Sequence, residues 1–188
     1  MARASDGHGP AGATIDRRAF LGGAALLLLW PTRGLAQAQT SAATALSPET
    51  LGLLDTSKFV YVSPLRKDGA ESTCHGEVWY AWLDGSVVVN TRRGTWKAQS
   101  LEKGLDRARI WVGDHGRWKA GIGSARSEAF RKAPSFDARA SFETDRKLLD
   151  RLIALYEKKY EAEFDRWRED MQVGFFSGQR KLIRYTPV

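Results

Sequence analysis

Glu77-Val78-Trp79-Tyr80-Ala81-Trp82 is followed by Leu83-Asp84-Gly85 and then by Ser86-Val87-Val88-Val89-Asn90-Thr91. Asp-Gly supplies the positive φ angles that a tight turn needs, so these two β-rich runs predict a hairpin. Both arms are apolar on both faces, with Val78, Trp79, Tyr80 and Trp82 opposite Val87, Val88 and Val89. Such strands suit a sheet buried on both sides better than a ribbon with one solvated face. A closed or nearly closed barrel covered by helices provides that burial. The expected fold is therefore mainly β with helices, an α+β architecture built on a β-barrel.

The rest of the chain supplies the other parts. Ser47-Pro48-Glu49-Thr50 has a capping serine, a proline for the first turn and an acid near the positive helix end, and predicts a short helix to about Leu54. Residues 58–66 read as a strand, and Lys67-Asp68-Gly69 repeats the turn signal, so three strands should form a meander. A short helix over 96–104 stopped by Gly104, a strand over 107–113, a turn at Asp114-His115-Gly116 and a strand over 136–142 follow. From 143 to about 172 the period changes to that of a helix. Leu149, Leu152, Ile153, Tyr156, Tyr160, Phe164, Trp167 and Met171 share one face, predicting one long amphipathic helix ended by Gly174, most simply packed on the core. Residues 181–185 make a closing strand.

The first 38 residues have a different character. Ile15-Asp16-Arg17-Arg18-Ala19-Phe20-Leu21 precedes an apolar run that ends at Trp30, and Ala36-Gln37-Ala38 offers the small residues a signal peptidase prefers. The pattern predicts a twin-arginine signal over 1–38, cleavage after Ala38, and an exported protein, periplasmic or extracellular, that engages the twin-arginine translocation machinery. The apolar run is about half the ~20 residues of a membrane-spanning helix, and Pro31 and Arg33 interrupt it. A polar linker over 39–46 leads into a domain over 47–188. Without residues 1–38 the chain carries 25 Lys and Arg against 20 Asp and Glu, a net charge of +5. That balance is mild, and Arg107, Arg109, Arg117, Arg126 and Arg131 are dispersed among acids, so a solvated surface is expected rather than a nucleic-acid interface.

Several chemistries are poorly served by this composition. The lone Cys74 excludes an intrachain disulfide. Cys74, His75 and His115 have no recurrent zinc-ligand spacing, so no metal site is expected. Cys74 and His75 are adjacent, and in a strand their side chains would point to opposite faces, which disfavours a nucleophile and base pair. Gly121-Ile122-Gly123 lacks the third glycine of a dinucleotide fingerprint and reads as a flexible connection.

One junction is more promising. Asn90-Thr91-Arg92-Arg93-Gly94-Thr95-Trp96-Lys97 passes from a strand end through a tight loop into a helix start, where free backbone N–H groups and the helix dipole favour an anion. Thr95 could add a hydroxyl and Lys97 a charge, which fits a phosphate. The residues alone equally allow Thr95 to cap the helix while Arg92, Arg93 and Lys97 are solvated.

The run Val87-Val88-Val89-Asn90-Thr91, then Gly94-Thr95-Trp96-Lys97-Ala98, then Leu101-Glu102, resembles the cofactor segment of the split-barrel flavoproteins related to pyridoxamine 5′-phosphate oxidase. The first hairpins, with Lys67-Asp68-Gly69 and Asp84-Gly85, and the ending Leu182-Ile183-Arg184-Tyr185-Thr186-Pro187 resemble that family too. The resemblance spans about 47–188 and implies an FMN-binding split β-barrel. In it, Thr95 and Lys97 would bind the FMN phosphate, and Asn90 and Thr91 would lie along the isoalloxazine or ribityl edge. Trp96 stands where the oxidase often has a basic residue, and His75 lies near the place of a phosphate-binding arginine. His75 is thus a candidate donor to a flavin or ligand to haem, or a structural histidine. Relatives of this barrel carry FMN, a deazaflavin coenzyme or haem. The implied protein is a homodimer, and the implied activity a flavin-dependent oxidoreductase acting on a small-molecule substrate, or else a binding protein without turnover.

Overall fold

The computed structural model describes residues 45–113 and 129–188, all within one unit spanning 40–188. The expected signal, most of the linker, the turn at Asp114-His115-Gly116 and the Gly121-Ile122-Gly123 connection lie outside the described residues.

Helix α1 (Pro48–Thr56) starts as expected, with Ser47 Oγ accepting the Thr50 N–H at 3.2 Å. Seven strands follow among the described residues: β1 (Phe59–Pro64), β2 (Gly76–Trp79), β3 (Ala81–Leu83), β4 (Ser86–Arg92), β5 (Arg107–Val112), β6 (Ser135–Glu143) and β7 (Arg180–Pro187). Helix α2 (Trp96–Glu102) joins β4 to β5, and a 3-10 turn (Ala129–Lys132) precedes β6. Helices α3 (Arg146–Tyr160) and α4 (Ala162–Phe176) lie between β6 and β7. The strands form one antiparallel sheet in the order β2-β1-β5-β6-β7-β4-β3.

The two edge strands of that order are neighbours in sequence, separated by Tyr80 alone. The chain therefore steps from one edge of the sheet to the other, and the sheet curls into a nearly closed barrel. This corrects the expected meander: the arm over 77–82 is two strands, β2 pairing with β1 and β3 with β4. At the step the Tyr80 N–H donates to Tyr160 Oη at 2.9 Å instead of to a strand. The Asp-Gly turn between β3 and β4 forms as expected, with Asp84 at φ 51° and Gly85 at φ 69°.

Burial on both faces is achieved by alternation. Val60, Val62, Val87, Val89, Ile110, Val112, Ile183 and Tyr185 form one buried cluster together with Leu54 of α1 and Ala98 of α2. Ala81, Leu83, Val88 and Leu182 form a second with Leu148, Leu149, Leu152, Ile153, Tyr156 and Phe164 of the two helices. The C-terminal apolar stripe is thus core packing on the outside of the sheet.

That stripe does not belong to one helix. The chain breaks at Glu161 (φ 43°, ψ −129°), so α3 packs on β3 while α4 packs on β7 and β4. Nor does Gly174 end the second helix, which continues to Phe176 and is followed by Gly178 at φ 75°. A Cβ at Gly174 would stand 2.8 Å from Arg180 Cγ and 2.9 Å from Arg180 Cδ, so this glycine makes room for an arginine stem.

Candidate functional site

Strand β4 is paired on one side with β7 throughout, Asn90 opposite Leu182 and Thr91 opposite Lys181. On its other side, pairing with β3 stops at Val88 opposite Ala81. Among the described residues no strand pairs with Val89, Asn90 and Thr91 on that side, and β2 pairs only with β1. The resulting split holds a pocket of about 300 Å³. Val78 and Trp79 of β2, Val89 of β4, and Trp167 and Met171 of α4 form its apolar walls, while Asn90, Thr91, Lys97 and Arg180 are its polar groups.

Each polar group has a distinct state. Arg180, at the start of β7, is 7% exposed. Its Nε and Nη2 donate to Asp170 Oδ2 at 3.1 and 2.7 Å, and its Nη1 donates to Asn90 Oδ1 at 3.0 Å. This contact defines which end of the Asn90 amide is which, since arginine is only a donor. Asn90 is 8% exposed, and its Nδ2 has no hydrogen-bond partner among the described residues. Lys97 is half-buried, with Nζ 4.5 Å from the Trp96 ring centroid. Burial pushes its ammonium down to about 8, and no described carboxylate offsets that cost.

A polar cavity of about 540 Å³ adjoins across Arg180, bounded by Arg92, Gly94, Thr95, Asp170 and Gln179. The loop leading to it is a tight turn in which the Thr95 N–H donates to the Arg92 carbonyl at 3.0 Å and the Arg93 N–H to the Gln179 carbonyl at 2.8 Å. Thr95 occupies the N-cap position of α2, but its hydroxyl does not cap the helix. Thr95 Oγ1 donates to the Arg92 carbonyl at 2.8 Å and lies 3.0 Å from Thr91 Oγ1. The expected pairing of Thr95 and Lys97 is therefore divided: Lys97 faces the apolar pocket and Thr95 the polar cavity.

Of the residues singled out by sequence, Asn90, Thr91 and Lys97 meet in the pocket, and Trp96 lies beneath the Lys97 ammonium. His75 does not line either cavity. It precedes β2 instead of lying within a strand, with its ring 4.9 Å from Phe130 and 6.4 Å from Tyr61. Cys74 beside it is exposed.

Arg180 was not anticipated, because a basic residue at the start of a strand normally reads as solvated. Gly174, which the sequence reads as the end of a helix, lies within α4 against the Arg180 stem, so it gave no signal of the arginine. Trp167 and Met171 were legible as apolar, but not as pocket walls.

No protein-family model matches the sequence, and no curated protein matches it. Solved structures do match. The conserved hypothetical protein Rv2991 from Mycobacterium tuberculosis is similar with a TM-score of 0.51 at 17% identity, covering 78% of this chain and 83% of that one. HutZ, the haem storage protein of Vibrio cholerae, gives a TM-score of 0.49 at 17% identity, covering 76% and 90%. A Listeria innocua protein provisionally described as a pyridoxamine 5′-phosphate oxidase gives 0.46 at 11%, covering 74% and 90%. With its sheet order and the gap between β2 and β4, the chain is an α+β split barrel, the fold it shares with the Rv2991 structure.

Proposed function

We propose that the protein binds a flavin, FMN in the first place, in the split between β2 and β4 and uses it to oxidise or reduce a small molecule. One observation carries this reading. Lys97, a half-buried cation that lines the apolar pocket, has no protein acceptor for its Nζ among the described residues. A half-buried ammonium costs stability until something accepts from it. An anionic ligand with a planar apolar body matches both the ammonium and the apolar walls. About 300 Å³ is at the small end of ligand pockets, and the adjoining polar cavity extends it.

The residues present fit such a group. Trp79, Trp167 and Met171 offer apolar surface to a ring, Asn90 and Thr91 offer hydrogen bonds to its edge, and Lys97 and Arg92 supply positive charge for a phosphate. Bound flavin supplies hydride or single-electron transfer, and the protein supplies position and electrostatics. That division of labour needs no acid and base pair in the protein. The resemblance to the flavoprotein segment over 87–102 supports the same reading.

The test is the visible spectrum of protein purified after export from a host that makes flavins, deazaflavin and haem, with the released ligand identified by mass. A flavin double band with FMN recovered upholds the reading. A deazaflavin or haem spectrum replaces the cofactor, and a colourless folded protein that takes up no added FMN overturns it.

Export and assembly belong to the same proposal. The Arg17-Arg18 motif with its short apolar run supports a cleaved signal, so intact mass should show a chain beginning at Gln39; a chain beginning at Met1 in the membrane fraction sinks that claim. A homodimer, which the family resemblance supports, is checked by light scattering. A monomer that retains cofactor removes it.

A further inference from the structure

We propose that Lys97 is a covalent capture site for planar, apolar aldehydes, which its side-chain amine holds as a reversible imine. The chemistry goes beyond the flavin reading above and does not rest on it, since it needs only the pocket and its amine; FMN would compete for the same space.

Several features of the pocket favour the neutral amine over the ammonium. Its walls are Val78, Trp79, Val89, Trp167 and Met171, and no described Asp or Glu lines it. The other charged residue that lines it, Arg180, is bound to Asp170 and to Asn90 Oδ1, so it brings Lys97 no counter-charge. Lys97 is also the second residue of α2, where free backbone N–H groups make the potential positive. The Trp96 ring lies 4.5 Å from Nζ and attracts an ammonium less strongly than a carboxylate would. Burial accordingly brings the group down to about 8 from an ordinary 10.5.

A lysine desolvated in an apolar pocket is a nucleophile near neutral pH. At pH 7 roughly a tenth of Lys97 is neutral, against less than about a thousandth of an ordinary lysine. The step involves no oxidation or reduction. The Nζ lone pair attacks the carbonyl carbon, the C=O π pair moves to oxygen, and a proton passes from nitrogen to that oxygen, giving a carbinolamine. The nitrogen lone pair then forms C=N as water leaves. The walls select the substrate class: indole and thioether surface suits an aldehyde with an aromatic or unsaturated body, and a small hydrated aldehyde such as glyoxylate gains nothing from them.

The test uses 2-naphthaldehyde as probe on the full chain, with cyanoborohydride to reduce each imine to a stable secondary amine and peptide mass mapping to place it. At pH 7 Lys97 should carry at least ~10-fold more label than any other lysine, the lower nucleophilicity of a less basic amine offsetting part of its advantage. That ratio should shrink as pH rises from 7 to 10 and the other lysines lose their protons. Glyoxylate should show no such preference, and Lys97→Arg should lose this label alone. Label spread evenly over the lysines, label absent from Lys97, or an equal preference with glyoxylate overturns the proposal. FMN separates the two readings. Labelling at Lys97 in a protein that binds no FMN upholds the capture site and ends the flavin reading, whereas FMN binding to a protein whose FMN-free form is not labelled at Lys97 does the reverse.

Discussion

Tyr160 Oη accepts the Tyr80 backbone N–H at 2.9 Å and lies within donating distance of the Lys58 and Tyr80 carbonyls, at 2.8 and 3.1 Å. The last turn of α3 thus repairs the backbone where β2 gives way to β3, and the barrel's seam is held by a side chain from outside the sheet. Both residues are almost fully buried, so water cannot substitute.

Removing that hydroxyl should be expensive. Tyr160→Phe removes the acceptor of the Tyr80 N–H and the donor to the Lys58 carbonyl together and should cost about 2 to 3 kcal/mol. Tyr156→Phe removes the bond from Tyr156 Oη to the Trp79 carbonyl at 2.8 Å and should cost about 1 kcal/mol. Urea unfolding of the two variants provides the comparison. Equal losses would mean that Tyr160 has no special role at the seam.

Gly174→Ala should destabilise the protein although alanine is the better helix former by about 1 kcal/mol. The added methyl must displace the Arg180 stem, and with it the hold on Asn90 and Asp170. Overpacking of this kind costs about 1 to 3 kcal/mol. Denaturation midpoints at constant slope measure the net effect, and a gain in stability would show that Arg180 relaxes freely.

How far these features were legible differs by element. The Asp84-Gly85 turn, the cap at Ser47 and the two-sided burial of Val87, Val88 and Val89 depend on local chemistry, and sequence conveyed them directly. The break at Glu161 did not show, because the apolar period runs on through Tyr160 and Phe164 and no glycine or proline marks the spot. Tertiary packing imposes it, with α3 and α4 serving different strands. The step at Tyr80 was hidden for the same reason: its replacement hydrogen bond comes from a residue 80 positions away. The site divides similarly. Asn90, Thr91 and Lys97 were found from one contiguous segment, whereas Arg180 joined them through a strand pairing that no local pattern encodes.

Lys97→Ala should weaken FMN binding by about 1.5 to 3 kcal/mol, the worth of a hydrogen bond to a charged group. Titration by flavin fluorescence reads this directly. Unchanged affinity would remove Lys97 from the binding set and leave Asn90, Thr91 and the polar cavity to account for any binding.

The same lysine should give the ligand-free protein an unusual alkaline dependence. Its ammonium sits at about 8 in the folded chain, against an ordinary value of 10.5 that the unfolded chain retains. Between those two values the unfolded chain holds the extra proton, so stability should rise as pH increases through the interval. Binding should respond in the opposite sense, because an anion needs the charged amine: FMN affinity should fall above about pH 8. Lys97→Met should abolish the rise and stabilise the ligand-free protein at neutral pH by about 1 kcal/mol, since the buried charge is gone. Melting curves of both proteins from pH 7 to 10, with and without FMN, check the pair of signs. If stability without ligand falls for the unaltered protein exactly as for Lys97→Met, the ammonium is not strained by its pocket and the burial argument for a resident anion is lost.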